Sequence, residues 1–200
     1  MTIERIDDMP HKTFFNLSKE KQNKIIKFAK EEFANYLFED ASVNRIVKAA
    51  NLSRGSFYLY FENKEDLYFY VLDLFFEERE TKYEEIAKKN NKDIKKTLLD
   101  IYDYNLENNK ELMKNIFINF NTRHAFKYIP LDKEPPNRKK LFDFSNYEVK
   151  DEKLVAHMLD TLLIQSISFA IFKTEMNEII KDKFIDEIDI ILKGIERRQK

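Results

Sequence analysis

The chain has 200 residues, 43% of them hydrophobic and 36% charged, with a formal net charge of −1. This is the balance of a globular, helix-rich protein of one large domain or two small ones. Two glycines and four prolines leave few places for tight strand turns, which argues against an all-β fold. With no GxGxxG or GxxxxGK[ST] phosphate loop, dinucleotide and P-loop enzymes are set aside, and the absence of cysteine removes disulfides, a thiol nucleophile and Cys-based zinc sites.

Residues 1–17 read as an N-terminal extension. Glu4, Asp7 and Asp8 near the start are unlike the basic-then-apolar pattern of a secretory signal. No run of 18 or more apolar residues is present, so no membrane span is expected. The expected location is cytoplasmic.

Ser18 is suited to cap a first helix running to about Leu37, with Ile25, Ala29 and Phe33 on one face. Ser42 caps a second, which turns Val43, Ile46, Val47 and Ala50 inward. Asn51-Leu52-Ser53 breaks it, because Asn tolerates the left-handed conformation that ends helices. Ser53 then caps a short third helix through Phe61. Asn63 caps a fourth, and Glu65 and Asp66 in its first turn suit the positive end of the helix dipole. That helix runs to about Lys89, roughly 39 Å at 1.5 Å per residue.

Asn90 and Asn91 end the long helix, and residues 92–108 and 110–123 predict two more. Lys127 to Arg138, with Pro130, Pro135 and Pro136, reads as a loop, followed by short helical turns around Leu141–Tyr147. Residues 151–174 and 182–198 predict two closing helices. The first is apolar nearly all round from Leu162 to Phe172, so it is buried on more than one side. The second carries Ile185, Ile188, Ile191, Leu192 and Ile195 on a broad stripe.

Charge is unevenly spread. Residues 18–64 carry a net +3 and residues 65–200 a net −3, as suits a small basic head on an acidic body. Short helix, tight break, short aromatic helix is the pattern of a helix-turn-helix, at about residues 42–61. Gly55, at the start of the second of these helices, costs roughly 1 kcal/mol relative to Ala. It leaves room for the backbone to approach DNA.

From Lys24 to Leu67 the residues resemble the TetR/AcrR family of bacterial repressors. The resemblance rests on Ile25-Ile26, Phe33-Ala34, Ser42, Ile46-Val47-Lys48-Ala49-Ala50, Leu52-Ser53, Gly55-Ser56-Phe57-Tyr58, Tyr60-Phe61 and Asn63-Lys64-Glu65-Asp66-Leu67. Where that family commonly has Gly at the ends of the first two helices, this chain has Leu37 and Asn51. The resemblance implies an all-α protein of about nine helices. Residues 18–67 would be a helix-turn-helix head, joined by the long fourth helix to an effector-binding and dimerisation domain at 68–200.

It also implies a double-stranded DNA operator as partner, with a homodimer formed through helices 151–174 and 182–198. Repression relieved by a small effector is the family's commonest mode. Arg54 can grip guanine O6 and N7 bidentately. Asn44 matches a family position that often touches a base, and Arg45 is a candidate for base or phosphate. By resemblance Lys64 holds phosphate. Tyr58 and Tyr60 offer hydroxyls to phosphate oxygens, and Ser42 and Ser56 can cap their helices or bond phosphate. Phe57 and Phe61, four apart, read as core.

The aromatic body suits an apolar or aromatic effector. Candidate lining residues are Tyr102, Phe117, Phe120, Asn121, His124, Gln165, Ser168 and Phe169, for which core or surface packing is the plainer role. No cofactor and no metal are expected. Two other readings stand beside this one. One is a DNA-binding protein gated by a protein partner. The other, remote, is an enzyme with a metal-assisted site, for which His157 and Asp160 share a helix face; the three histidines are otherwise scattered.

Overall fold

The structure, a computed structural model, describes residues 10–108, 110–120 and 138–196. Among these, the regular structure is helical apart from an isolated bridge between Tyr147 and Glu196. The helices are α1 (Lys12–Phe15), α2 (Lys19–Asn35), α3 (Val43–Ala49), α4 (Arg54–Tyr58), α5 (Lys64–Lys89), α6 (Ile94–Glu107), α7 (Lys110–Phe120), α8 (Glu152–Phe172) and α9 (Asn177–Ile195). The all-α expectation and the helix number agree with this order.

Most boundaries follow from local chemistry. Ser18, Ser42 and Ser53 each accept a backbone N–H of their own helix, from Lys21, Arg45 and Ser56. Asn51 has φ 56°, the left-handed conformation expected of it. Asn63 Oδ1 accepts the N–H of Asp66 at 3.0 Å while Asp66 Oδ2 accepts the N–H of Asn63 at 3.2 Å, a reciprocal cap that starts α5. Burial pushes the Asp66 carboxyl upward, and the Asn63 N–H opposes that shift. At the other end of α5, Asn91 and Lys92 both take positive φ.

Several boundaries differ from expectation: α6 begins at Ile94 rather than at 92 and α8 ends at Phe172 rather than at 174. α2 stops at Asn35, because Tyr36 is extended. α4 stops at Tyr58 rather than Phe61. Leu59 and Tyr60 donate to Ser56 and Phe57 three residues back, so the last turn tightens to the 3₁₀ pattern. α9 begins at Asn177, five residues before the expected start, after a short 3₁₀ turn at Thr174–Met176, and Met176 offers it no side-chain cap. The proline-bearing loop and residues 121–123 lie outside the described residues, except for Arg138, which opens a 3₁₀ turn to Leu141.

The chain divides into two compact units. The first is drawn from Met1–Glu78 with Glu111–Ile129, the second from Arg79–Lys110 with Pro130–Lys200. In the first, Ile25, Ala29, Phe33, Ile46, Val47 and Phe57 pack together with Leu67, Val71 and Phe75 of α5. Asn115 of α7 donates to the carbonyls of Phe33 (3.0 Å) and Ala34 (2.9 Å). These are last-turn carbonyls of α2 that have no partner within the helix.

In the second unit α8 packs on α6, on α9 and on the 3₁₀ turn at Arg138. Tyr102 stacks on Phe184 with ring centroids 5.4 Å apart. The buried Tyr83 hydroxyl donates to Asn105 Oδ1 at 3.0 Å, and Asn105 Nδ2 donates to the Ile101 carbonyl at 2.6 Å. Arg138 pairs with Glu80 and, at 3.0 Å, with Asp160. Asp160, named above as a candidate metal ligand with His157, is therefore engaged by a guanidinium, and His157 is exposed. α8 is long and apolar enough to cross a membrane by length and composition, a point the count of uninterrupted apolar residues did not register. Its inner residues Ala156, Leu159, Leu163 and Ile167 are buried within this unit.

Candidate nucleic-acid interface

α3 and α4 are too short to hold shape alone, since isolated helices below about 12 residues are marginal in water. Their positions come from packing. Ile46 and Val47 anchor α3, and Phe57, stacked on Phe61 at 5.6 Å, anchors α4. With Phe57 turned inward, α4 leaves Arg54, Gly55 and Tyr58 exposed. Ser56 is half-buried, and its hydroxyl lies 2.8 Å from that of Ser53. Asn44 and Lys48 are exposed on α3. Arg54 and Lys48 make no ion pair among the described residues.

Gly55 has no internal reason to be glycine. Its φ is not positive, and a Cβ there would meet only Ser53 Oγ, at 3.9 Å, which is ordinary contact. The fold would accept alanine there.

Two cations assigned from sequence to DNA are occupied inside the first unit. Arg45 reaches back to the buried carboxylate of Glu32, with Nε 2.9 Å from Oε1, and donates to the Asp40 carbonyl at 2.7 Å. It lies 4.0 Å from the centroid of the Tyr36 ring. The Glu32 hydrogen bond holds this guanidinium above its ordinary pKa, with burial opposing. Glu32 Oε1 also accepts the N–H of Ser42 at 2.7 Å, so one carboxylate ties α2 to the start of α3. The Lys64 ammonium donates to the carbonyls of Phe38 (2.5 Å), Glu39 (3.1 Å) and Ala41 (2.9 Å). It braces the turn between α2 and α3.

Ser42 is half-buried and serves as a cap. Tyr60 is half-buried, edge-on to Phe14 at 6.3 Å. Phe14 falls in the segment read as an N-terminal extension, yet it is fully buried against Phe61 (5.2 Å) and Tyr70 (5.5 Å). Beside it, the His11 N–H donates to the Tyr60 carbonyl at 2.9 Å and the Thr13 hydroxyl to the Leu59 carbonyl. Residues 11–14 thus latch the chain just after α4. An aromatic pair in a polar surround, Phe14-Phe15, was the available signal for this. Leu59, highly exposed, was also missed, and only a helical wheel of residues 54–59 marks it.

Of the candidate effector residues, Tyr102 is buried in the second unit. Its hydroxyl has no hydrogen-bond partner among the described residues. Burial, with Asp103 adding, pushes it up to about 12. Gln165 and Phe169 are exposed and Ser168 half-buried, on the outer side of α8 rather than in the interior. A helix apolar nearly all round gives no phase from which to choose its inner face, which is why sequence placed them inward. Phe117 and Phe120 lie on α7 with side chains outside the described residues, as do Asn121 and His124 entirely.

Comparison with known proteins agrees with this geometry. Residues 25–71 match the model of the N-terminal region of bacterial regulatory proteins of the tetR family. An uncharacterized HTH-type transcriptional regulator of Bacillus subtilis (strain 168), YdgC, is 43% identical over 49 residues, 24% of this chain and 25% of that one. The chain thus matches about a quarter of that relative's length. A crystal structure of a TetR family transcriptional regulator from Chloroflexus aurantiacus J-10-FL superposes with a TM-score of 0.54 at 21% identity. That superposition covers 95% of this chain and 100% of that one. The proteins matched are described as regulators, not enzymes. Residues 25–71 thus resemble the N-terminal region of tetR-family bacterial regulatory proteins, and the chain shares the fold of a solved TetR family regulator.

Proposed function

We propose that the chain is a transcriptional repressor that binds operator DNA as a homodimer and is released by a small effector held in the second unit. The observation that carries the DNA reading is the outer face of α4. There Arg54 and Tyr58 stand beside Gly55, whose missing side chain the fold does not require. A helix with that face entering the major groove brings Arg54 to base edges and Tyr58 to the phosphates. Asn44 and Lys48 on α3 extend the same polar surface.

Two copies are needed to place two such helices about 34 Å apart, one turn of DNA. The outer sides of α8 and α9, with Leu154, Met158, Phe169, Ile179 and Ile190 exposed, support pairing through those helices. The buried, unpartnered Tyr102 hydroxyl supports an effector with a polar group as well as an apolar body, since buried hydroxyls normally find a partner. Effector and operator then weaken each other's binding by the same factor.

The test is affinity for matched and scrambled operators at two salt concentrations. Arg54→Ala reduces the preference for the matched operator roughly 10- to 100-fold, as expected for one lost bidentate contact. Lys48→Ala, at an exposed lysine with no ion pair among the described residues, weakens binding to both sequences and makes the fall of log affinity with log salt shallower by about 1. Equal loss on every sequence for both alanine variants overturns the assignment.

A further inference from the structure

Leu59 follows α4 directly and is 60% exposed. Its backbone remains helical, at φ −78° and ψ −18°, so the helical wheel of α4 extends to it. On that wheel Gly55 and Leu59, one turn apart, stand opposite the buried Phe57. Leu59 therefore lies beside Gly55, at the edge of the face that the reading above turns toward DNA. The space beside it is open, because Gly55 has no side chain.

A single exposed leucine needs no explanation on an ordinary surface. Here the backbone that bears it is held unusually firmly. The Leu59 carbonyl accepts from the Thr13 hydroxyl, and the next carbonyl, Tyr60, accepts from the His11 N–H at 2.9 Å. Phe14, the residue after Thr13, is buried. An apolar group held in place at the edge of a polar face has a defined target. It donates and accepts no hydrogen bond, so it cannot read a guanine, a cytosine or an adenine. The apolar feature on the major-groove edge of a base pair is the C5-methyl of thymine.

We propose that Leu59 is a specificity-determining residue that packs on a thymine methyl in each operator half-site, with the His11–Phe14 latch as its positioning element. This rests on the reading of the first unit as a DNA-binding head.

The test uses the full-length protein and a duplex selected by it from a random DNA pool. Each thymine is replaced in turn by deoxyuridine, which removes the methyl and nothing else. Wild type loses about fourfold in affinity per half-site at one thymine, the effect of one buried methyl-sized group. Leu59→Ala binds the thymine and deoxyuridine duplexes equally, and Leu59→Met, which keeps an apolar reach, retains the discrimination. Leu59 is exposed, so both variants keep the wild-type circular dichroism and melting temperature. If Leu59→Ala still distinguishes thymine from deoxyuridine, or if wild type does so at no position, the inference fails while the DNA-binding reading stands. A protein that enriches no sequence from the pool overturns both.

Discussion

Phe14→Ala lowers the stability of the first unit by about 3–5 kcal/mol, the range for emptying a buried phenylalanine site. Phe14 is fully buried, with the rings of Phe61 and Tyr70 within 5.5 Å of its own. Those neighbours are anchored on the α4–α5 junction and cannot collapse into the gap without moving it. A domain is typically stable by only 5–15 kcal/mol, so the loss is a large share of the total. Phe15→Ala is the control. Phe15 is exposed and touches the same cluster from its edge, at 6.4 Å from Tyr70, and its removal changes stability by about 0.5 kcal/mol or less. Hydrogen exchange of the amides in α3, α4 and the start of α5 checks both variants, because it reads the first unit separately from the second. Phe14→Ala exposes those amides and, although the buried Phe14 itself cannot reach DNA, still reduces operator affinity. Unchanged protection in Phe14→Ala would show that residues 11–14 do not hold the head.

What was legible in the sequence was whatever is decided within a few residues. Ser42, Ser53 and Asn63 cap because an oxygen two or three residues before a free N–H suffices, whatever lies elsewhere. Asn51 turns because its own side chain tolerates positive φ. Phe57 and Phe61 read as core from spacing alone. The destinations of long charged side chains were not legible. Arg45 and Lys64 have the reach to point outward or inward, and their partners Glu32, Phe38 and Ala41 lie 13 to 26 residues away in sequence. The start of α9 was hidden because no capping residue marks it, and its first turns are pinned by a tertiary ion pair, Lys181 to Asp103 at 2.6 Å. The same limit explains α8. Leu, Ile, Phe and Met surround it, so only contacts with α6 and α9 decide which side faces in.

Phe169→Glu separates the proposed dimer into monomers, and the exposed side of α8 is the reason. Ala156, Leu159, Leu163, Ile167 and Ala170 fill the inner side, and Leu154, Met158, Thr161, Gln165, Phe169 and Phe172 recur three to four residues apart on the outer side. Ile179 and Ile190 of α9 are more exposed still. Single exposed apolar residues are normal, but four on one face over five turns, interrupted by Thr161 and Gln165, with a second helix beside them, suit the proposed pairing. Phe169, at 52% exposure, is large enough to anchor a two-fold interface, and its replacement costs the isolated chain little. In the dimer, each glutamate would be desolvated without a partner and set near its symmetry mate. The dissociation constant of the dimer rises at least about 100-fold, equivalent to about 2.7 kcal/mol. Sedimentation at micromolar concentration then finds the 24.2 kDa monomer, while the helical content is unchanged. Operator affinity falls with it, because one head makes half of the contacts and gains nothing from the second half-site held nearby. Wild-type protein that sediments as a monomer, or Phe169→Glu that stays dimeric, would place the pairing surface elsewhere and leave this stripe without a purpose.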